Sequence, residues 1–529
     1  MAKRNFSTYG LIILILLLHF FFRAHRPTHQ PFFIDEHRHI ERAAGIANFE
    51  THPAEKSLGK FLLYVWIAPF HTDPEHALHM SRTAVAMFSL LGSAALYATT
   101  RRLFSKRAAL IAIIFYALLP YALFYERMVL ADGIAAALGA LTAWQSVYLA
   151  QKPSYRRAAM VGLLVALASM AKLTMMFIAL LPIAAIVCLG QWEQGGLSKK
   201  LRAHFKHYFK FLVAAGCTTL LMWIVPVLIP AAIAKTQGVE YVLVDQSLLD
   251  ESVFSTEDTG KLDETWNKAE LLISEPMTII GLLVIVLGLW KARRQTLFGM
   301  AWLLIIWVPI LILVVRIHTR YLMPGMYPVA MLMGGGLGTL TQLKLPSIPA
   351  NLQGRVWRTA VGLILAIWAI TFAWPFAVNA SNDAPALKMP YFDNRDYFQS
   401  RLNAYGLLPA LGYLQQTGER VDGQVPVMMV AYLCDRLELY AIEPVQLTCL
   451  GQELNGPTVT PDIWTPLIDQ STTGHAIYVI VEQAYGETTP LENAPIELDT
   501  LQWERLAVFR RPKNGLWVTV WQVIANPSA

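Results

Sequence analysis

Apolar runs recur along the chain at the length a helix needs to cross roughly 30 Å of hydrocarbon, about 17 to 25 residues, and no other feature narrows the possible folds as far. Eleven candidate spans, of 15 to 25 residues, fall near residues 8–23, 79–99, 107–125, 129–150, 157–171, 174–191, 208–232, 276–290, 296–315, 322–342 and 357–377. They are uniformly apolar rather than striped, so they read as membrane spans and not as the helices of a soluble core. Composition agrees, because 55% of the 529 residues are hydrophobic and only 15% are charged. The first run follows Lys3 and Arg4, the charge order of a secretory signal, but Arg23-Ala24-His25-Arg26 after it offers no small-residue cleavage site. A retained signal anchor is the expectation.

The net charge of +6 does not point to nucleic acid, since the basic residues sit in short clusters between apolar runs and not on one tail or face. They set topology instead. With the N-terminus in the cytoplasm, every second loop carries an excess: Arg101, Arg102, Lys106 and Arg107, then Lys152, Arg156 and Arg157. Lys199 to Lys210, Lys291 to Arg294, and Lys344 to Arg358 continue the pattern. The first loop (24–78), the loop near 233–275 and everything beyond about 378 then face the exterior, the arrangement expected in a bacterial plasma membrane.

Hydrophobicity falls beyond Asn394, where strand-like segments at Val425–Ala431, Ala476–Glu482, Leu506–Phe509 and Val518–Ile524 follow a helical pattern over Arg401–Thr417. The expected organisation is a transmembrane domain over 1–378 and an extracytoplasmic soluble α/β domain over 379–529. Cys188 and Cys217 lie in apolar runs and read as small apolar residues. Cys434 and Cys449 lie in the polar region, where an exterior location permits a disulfide.

Ionisable residues at the exterior ends of spans are the candidates for chemistry, because charge beside hydrocarbon is costly. Asp35 and Glu36 follow the first span. They suit either the capping of a helix or a general base that takes a proton from an acceptor hydroxyl or amine. Lys60 opens Phe61-Leu62-Leu63-Tyr64-Val65-Trp66, a segment too short to span. It suits a snorkelling lysine on an interfacial helix or an ammonium that holds a lipid-linked phosphate. Glu126, Arg127 and Asp132 crowd the tight turn between the third and fourth spans, where an Arg127–Asp132 ion pair would account for two of them. Lys172 occupies the next short exterior turn, and Arg316, His318, Arg320 and Tyr321 open the tenth span. Lys60, Lys172, Arg316 and Arg320 together could hold a phosphate at the membrane boundary.

The order of these features resembles the GT-C glycosyltransferases of the protein O-mannosyltransferase and aminoarabinose transferase type. The likeness covers about residues 8–345. It rests on Ile34-Asp35-Glu36, Gly59-Lys60-Phe61-Leu62-Leu63-Tyr64, Arg101-Arg102-Leu103-Phe104, Leu130-Ala131-Asp132 and Arg320-Tyr321-Leu322-Met323-Pro324. Lys60 lacks the proline pair that often follows it in relatives. The resemblance implies a GT-C fold and an exterior-facing enzyme that moves a sugar from a polyprenyl-phosphate carrier in the membrane lipid to a protein, lipid or glycan acceptor, commonly with inversion. It implies Asp35 as the catalytic carboxylate, Lys60 on the carrier phosphate, and Lys172 and Arg320 near that phosphate.

A divalent metal that helps the phosphate leave is not favoured. His37, His39 and His52 crowd the first loop, but such clusters are common in solvated loops. A transporter would place its charges at the midplane and show an inverted repeat, neither of which is evident. A lipid-linked oligosaccharide ligase would differ mainly in donor size, and a non-catalytic scaffold leaves the one-sided charges unexplained.

Overall fold

The computed structural model describes residues 2–48, 60–70, 74–190, 197–238, 261–313, 318–343, 350–440, 442–451, 476–483, 491–492 and 501–525. The chain divides into two compact units. The first comprises Met1–Pro27, His39–His71 and His79–Leu387, and the second Thr28–Arg38, Thr72–Leu78 and Lys388–Ala529.

The first unit is helical. In chain order its helices are α1 (Ala2–Ala24), α2 (Ile34–Ala47, whose first residues count with the second unit), α3 (Phe61–Ile67) and α4 (Pro74–Leu103, whose start does likewise). Then come α5 (Lys106–Leu118), α6 (Pro120–Tyr125), α7 (Ala131–Gln151), α8 (Tyr155–Ala171), α9 (Leu181–Leu189), α10 (Leu197–Gln237) and α11 (Lys261–Leu272). The last are α12 (Glu275–Lys291), α13 (Arg293–Leu313), α14 (Met326–Leu340), α15 (Ala350–Trp368) and α16 (Trp374–Asn382).

The eleven apolar runs fall on these helices. Among the described residues six helices are long and apolar enough to cross a membrane, within α1, α4, α7, α10, α13 and the α15–α16 run. The other runs are carried by shorter helices, alone or in consecutive pieces. Pro120 restarts the chain after α5, and Pro182 stands in the first turn of α9 after the 3-10 stretch Leu173–Leu180. The outer faces are apolar, as hydrocarbon requires: Leu220, Leu283 and Ile370 are 68%, 63% and 70% exposed.

Without a hydrophobic drive between helices in lipid, close backbone approach has to supply the packing. α14 does this with Gly334, Gly336 and Gly338. A methyl group at Gly334 or Gly338 would lie 2.5 Å from the Ala108 carbonyl oxygen or 2.6 Å from its Cβ. One at Gly336 would lie 2.5 Å from Cβ of Val284. The glycines thus set α14 directly against α5 and α12.

The second unit is a five-stranded mixed sheet with helices. Its strands are β1 (Val425–Val430), β2 (Val445–Gly451), β3 (Ile477–Glu482), β4 (Leu501–Arg510) and β5 (Trp517–Ala525), in the order β2-β1-β3-β5-β4. β1 runs parallel to β2 and β3, and β5 runs antiparallel to β3 and β4. Its helices are α17 (Tyr391–Asn394) and α18 (Leu407–Thr417). The helical spacing from Arg401 onward begins only at Leu407. Asn403 turns the chain first, its side-chain oxygen accepting from the Tyr405 amide at 3.1 Å. Gly406 then takes φ +81°, a conformation that glycine adopts without strain. A disulfide joins Cys434 to Cys449, with Cα atoms 5.7 Å apart. Thr28–Arg38 is built into this unit: Ile34 N–H donates to the Leu402 carbonyl at 2.8 Å, and Phe32 N–H donates to the Tyr440 hydroxyl at 2.8 Å.

Candidate active site

The short connection from Glu126 to Asp132 organises the polar groups of the first unit. α6 ends and α7 begins here. Helix ends leave backbone groups unpaired, and next to hydrocarbon no water can satisfy them. Arg127 answers this for α1. Its guanidinium donates to the carbonyls of Phe22 (2.6 Å), His25 (3.0 Å) and Arg26 (3.3 Å), and to Ser381 Oγ (3.1 Å). Burial, with Arg82 and Arg23 nearby, pushes the Arg127 guanidinium down to about 10, so it stays charged at neutral pH.

Arg127 therefore does not pair with Asp132, as its place in the sequence led us to expect. Its side chain turns back to the carbonyls at the end of α1, while Asp132, in the first turn of α7, forms an ion pair with Lys172, the residue that closes α8. Lys172 Nζ also lies 4.3 Å from the centre of the Tyr321 ring, and Arg320 Cζ lies 5.6 Å from the same ring, both within reach of cation–π attraction. His318 meets Tyr321 edge-on at 5.3 Å. Asp132, Lys172, His318, Arg320 and Tyr321 thus form one cluster. Arg316 lies outside the described residues.

Lys60 precedes α3, and its Nζ lies 3.1 Å from His39 Nε2. His39 Nδ1 lies 2.7 Å from the Val129 carbonyl oxygen. A carbonyl only accepts, so Nδ1 carries the proton and Nε2 presents a lone pair to the ammonium. His39 is consequently neutral and holds Lys60 against the 126–132 connection. Arg42, three residues on, donates to the Tyr64 hydroxyl at 3.1 Å, joining α2 to α3.

Asp35 and Glu36 occupy the first turn of α2, within the second unit. Glu36 is fully buried. Its Oε2 accepts from the Phe33 amide at 3.0 Å while its own amide donates to the Phe33 carbonyl at 2.8 Å, so the side chain supplies the glutamate half of a capping box. Asp35 is half-buried. His37 titrates near 4, mainly because burial disfavours the imidazolium, with Arg436 and Arg38 adding repulsion. Among the described residues no three histidine, cysteine or acidic side chains converge on one point, and His52 lies outside those residues.

Sequence reasoning named Glu126 but missed its buried partner. Arg23 and Glu126, both fully buried, pair at 2.5 Å, and the Tyr116 hydroxyl donates to the other Glu126 oxygen at 2.7 Å. Arg23 further donates to the Ala117 carbonyl at 3.0 Å. His19, inside the first apolar run, meets Ser89 Oγ at 2.7 Å. The available signal was an ionisable residue at the end of each of two runs, 8–23 and 107–125, a location that in membrane chains points to a partner.

Residues 66–229 match the family model of dolichyl-phosphate-mannose-protein mannosyltransferases. No curated protein matches the chain in sequence. Among solved structures, ArnT from Cupriavidus metallidurans bound to undecaprenyl phosphate is similar at TM-score 0.56 and 16% identity, over 97% of each chain. The same enzyme in the apo state gives TM-score 0.56 and 15% identity over 98% of each chain. The oligosaccharyltransferase AglB from Archaeoglobus fulgidus gives TM-score 0.49 and 12% identity, over 90% of this chain and 69% of that one. The chain thus shares the ArnT fold along nearly its whole length, matches the mannosyltransferase family model over 66–229, and combines helices long and apolar enough to cross a membrane with a C-terminal five-stranded sheet.

Proposed function

We propose that the protein is a membrane glycosyltransferase that moves a sugar from a polyprenyl-phosphate carrier to an acceptor on the extracytoplasmic side, with Asp35 as the general base. The observation that carries this reading is the Lys60–His39–Val129 chain. It is an ammonium held by a neutral imidazole at the end of the helix bundle, beside the connection that also bears the Asp132–Lys172 pair. The family match over 66–229 and the fold shared with an enzyme that binds undecaprenyl phosphate support a lipid-phosphate donor.

In the reaction the bond between the sugar C1 and the phosphate oxygen breaks, and the acceptor oxygen or nitrogen bonds to C1. The departing phosphate keeps the electron pair, and its growing charge is met by Lys60, with Lys172 and Arg320 as further cations. The acceptor's proton goes to Asp35. Glu36 caps α2, and the role is assigned to its half-buried neighbour Asp35. α2 carries Asp35 and, four residues on, His39.

The basic loops support a cytoplasmic N-terminus, and the Cys434–Cys449 disulfide supports an oxidising compartment for the C-terminal unit. That unit, which also includes the segment bearing Asp35, helps to select the acceptor. The test is sugar transfer from radiolabelled polyprenyl-phosphate sugars by membranes containing the wild type or Asp35→Asn. Transfer that collapses in the variant upholds the proposal. Equal transfer removes Asp35 from its role, and no transfer from any donor favours a transporter.

A further inference from the structure

A cavity of about 490 Å³ lies in the first unit at the opposite end of α14 from Tyr321. At about 1.5 Å of rise per residue, the length of α14 puts it roughly 22 Å from the Asp132–Lys172 cluster along the helix axis. Its walls include Phe104 and Ser105 before α5, Trp290 and Lys291 at the end of α12, Gln295 in α13 and Thr339 in α14. The glycine contacts that press α14 onto α5 and α12 bring these segments together.

The polar groups on this wall are suited to an anion. Lys291 is exposed, and its Nζ stands 3.6 Å from the centre of the Trp290 ring, which fixes the ammonium at the rim. Ser105 Oγ caps α5 by accepting from the Ala108 amide at 3.1 Å, which leaves its proton to donate. The Gln295 amide adds further donors. Thr339, in contrast, already donates to the Gly335 carbonyl at 2.8 Å. The segments 101–107, 290–295 and 338–343 contain no acidic residue, while Arg101, Lys106, Arg107 and Arg293 are exposed on them. Basic loops alone would reflect topology, but here they surround a cavity whose wall carries hydrogen-bond donors.

The apolar half of the ligand can be read from α12. Leu283, Val286 and Trp290 are 63%, 66% and 71% exposed, and their spacing places them on one stripe that leads to the cavity rim. We propose that this cavity binds the headgroup of an anionic phospholipid, with its phosphate against Lys291, Gln295 and Ser105 and an acyl chain along Leu283 and Val286. Basic pockets between membrane helices are suited to such headgroups. The proposed orientation assigns the lipid to the cytoplasmic leaflet, but binding itself does not depend on that orientation or on the transferase reading.

The test is native mass spectrometry of the purified full chain titrated with phosphatidylglycerol or phosphatidylethanolamine. The wild type should retain one phosphatidylglycerol about tenfold more tightly than phosphatidylethanolamine. Lys291→Glu should abolish that preference, and Arg293→Glu, on the same loop but outside the cavity wall, should change it less than threefold. Both positions are exposed, so unchanged melting temperatures verify folding. Equal retention of the two lipids, equal loss in both variants, or displacement of the lipid by millimolar inorganic phosphate would each overturn the proposal.

Discussion

Replacing His39 with asparagine separates the two ends of the imidazole. The asparagine amide nitrogen can take the place of Nδ1 and donate to the Val129 carbonyl, but the shorter side chain then no longer reaches Lys60 as Nε2 does. A hydrogen bond to a charged group is worth about 1.5–3 kcal/mol. Lys60 is half-buried, so solvent screens it and the lower figure applies. At about 1.4 kcal/mol per factor of ten, polyprenyl-phosphate binding should weaken about tenfold. His39→Gln, whose amide oxygen can stand where Nε2 was, should restore binding to within about threefold. The assay is the Kd of the purified protein for polyprenyl phosphate, with melting temperature as a check on folding. In a Lys60→Ala background His39→Asn should have no further effect, because the two positions act through one contact. A tenfold loss that persists without Lys60, or a glutamine variant as weak as the asparagine one, refutes the positioning role.

Three further predictions concern stability. Lys172→Met leaves Asp132 charged and buried and should cost about 3–5 kcal/mol, whereas adding Asp132→Leu should recover more than half of the loss; thermal melts in detergent compare them. Folded His37 titrates near 4 rather than 6.5. Above about pH 6.5 both states hold neutral imidazole, while between about 6.5 and 4 only the unfolded chain binds the proton, so the C-terminal unit should weaken as pH falls through that window. His37→Gln should flatten that part of a melting-temperature series. Cys449→Ser opens a loop spanning 15 residues and should cost about 3 kcal/mol, seen as equal melting temperatures with and without reductant in the variant only.

The spans and the basic loops were legible because hydrocarbon tolerates few alternatives: a run of that length must be helical, and lysine and arginine excess orients it. Lys60, Asp132, Lys172 and Tyr321 stood out as charge or ring at the boundary. Their partners did not. Arg23 and Glu126 are 103 residues apart, and Arg23 in sequence is an ordinary flank of the first span, so only the fold reveals that it reaches across. Asp132 was matched to the nearest arginine, a local inference that the carbonyls at the end of α1 overrule. His39 looked like one of several loop histidines, and its tautomer depends on a carbonyl 90 residues away. β2 escaped notice because Gln446 and Thr448 dilute its apolar character, and among the described residues it pairs with β1 alone.

Helices that meet through glycine have no side-chain slack at their contact. Bulk gained at 334 would meet the Ala108 carbonyl oxygen and the Ala112 amide nitrogen, backbone atoms that no rotamer change moves, so there the two backbones have to separate, whereas bulk at 338 first meets the Ala108 methyl group. Gly338→Ala should therefore cost less beside Ala108→Gly than alone, while the Ala108 Cα, 2.9 Å from the added methyl, still has to shift. The same absence of slack makes α14 a poor place for gradual evolutionary change. It joins the lysine–tyrosine cluster at one end to the cationic cavity at the other, so diversification of either site is expected in the loops that flank α14 rather than in α14 itself.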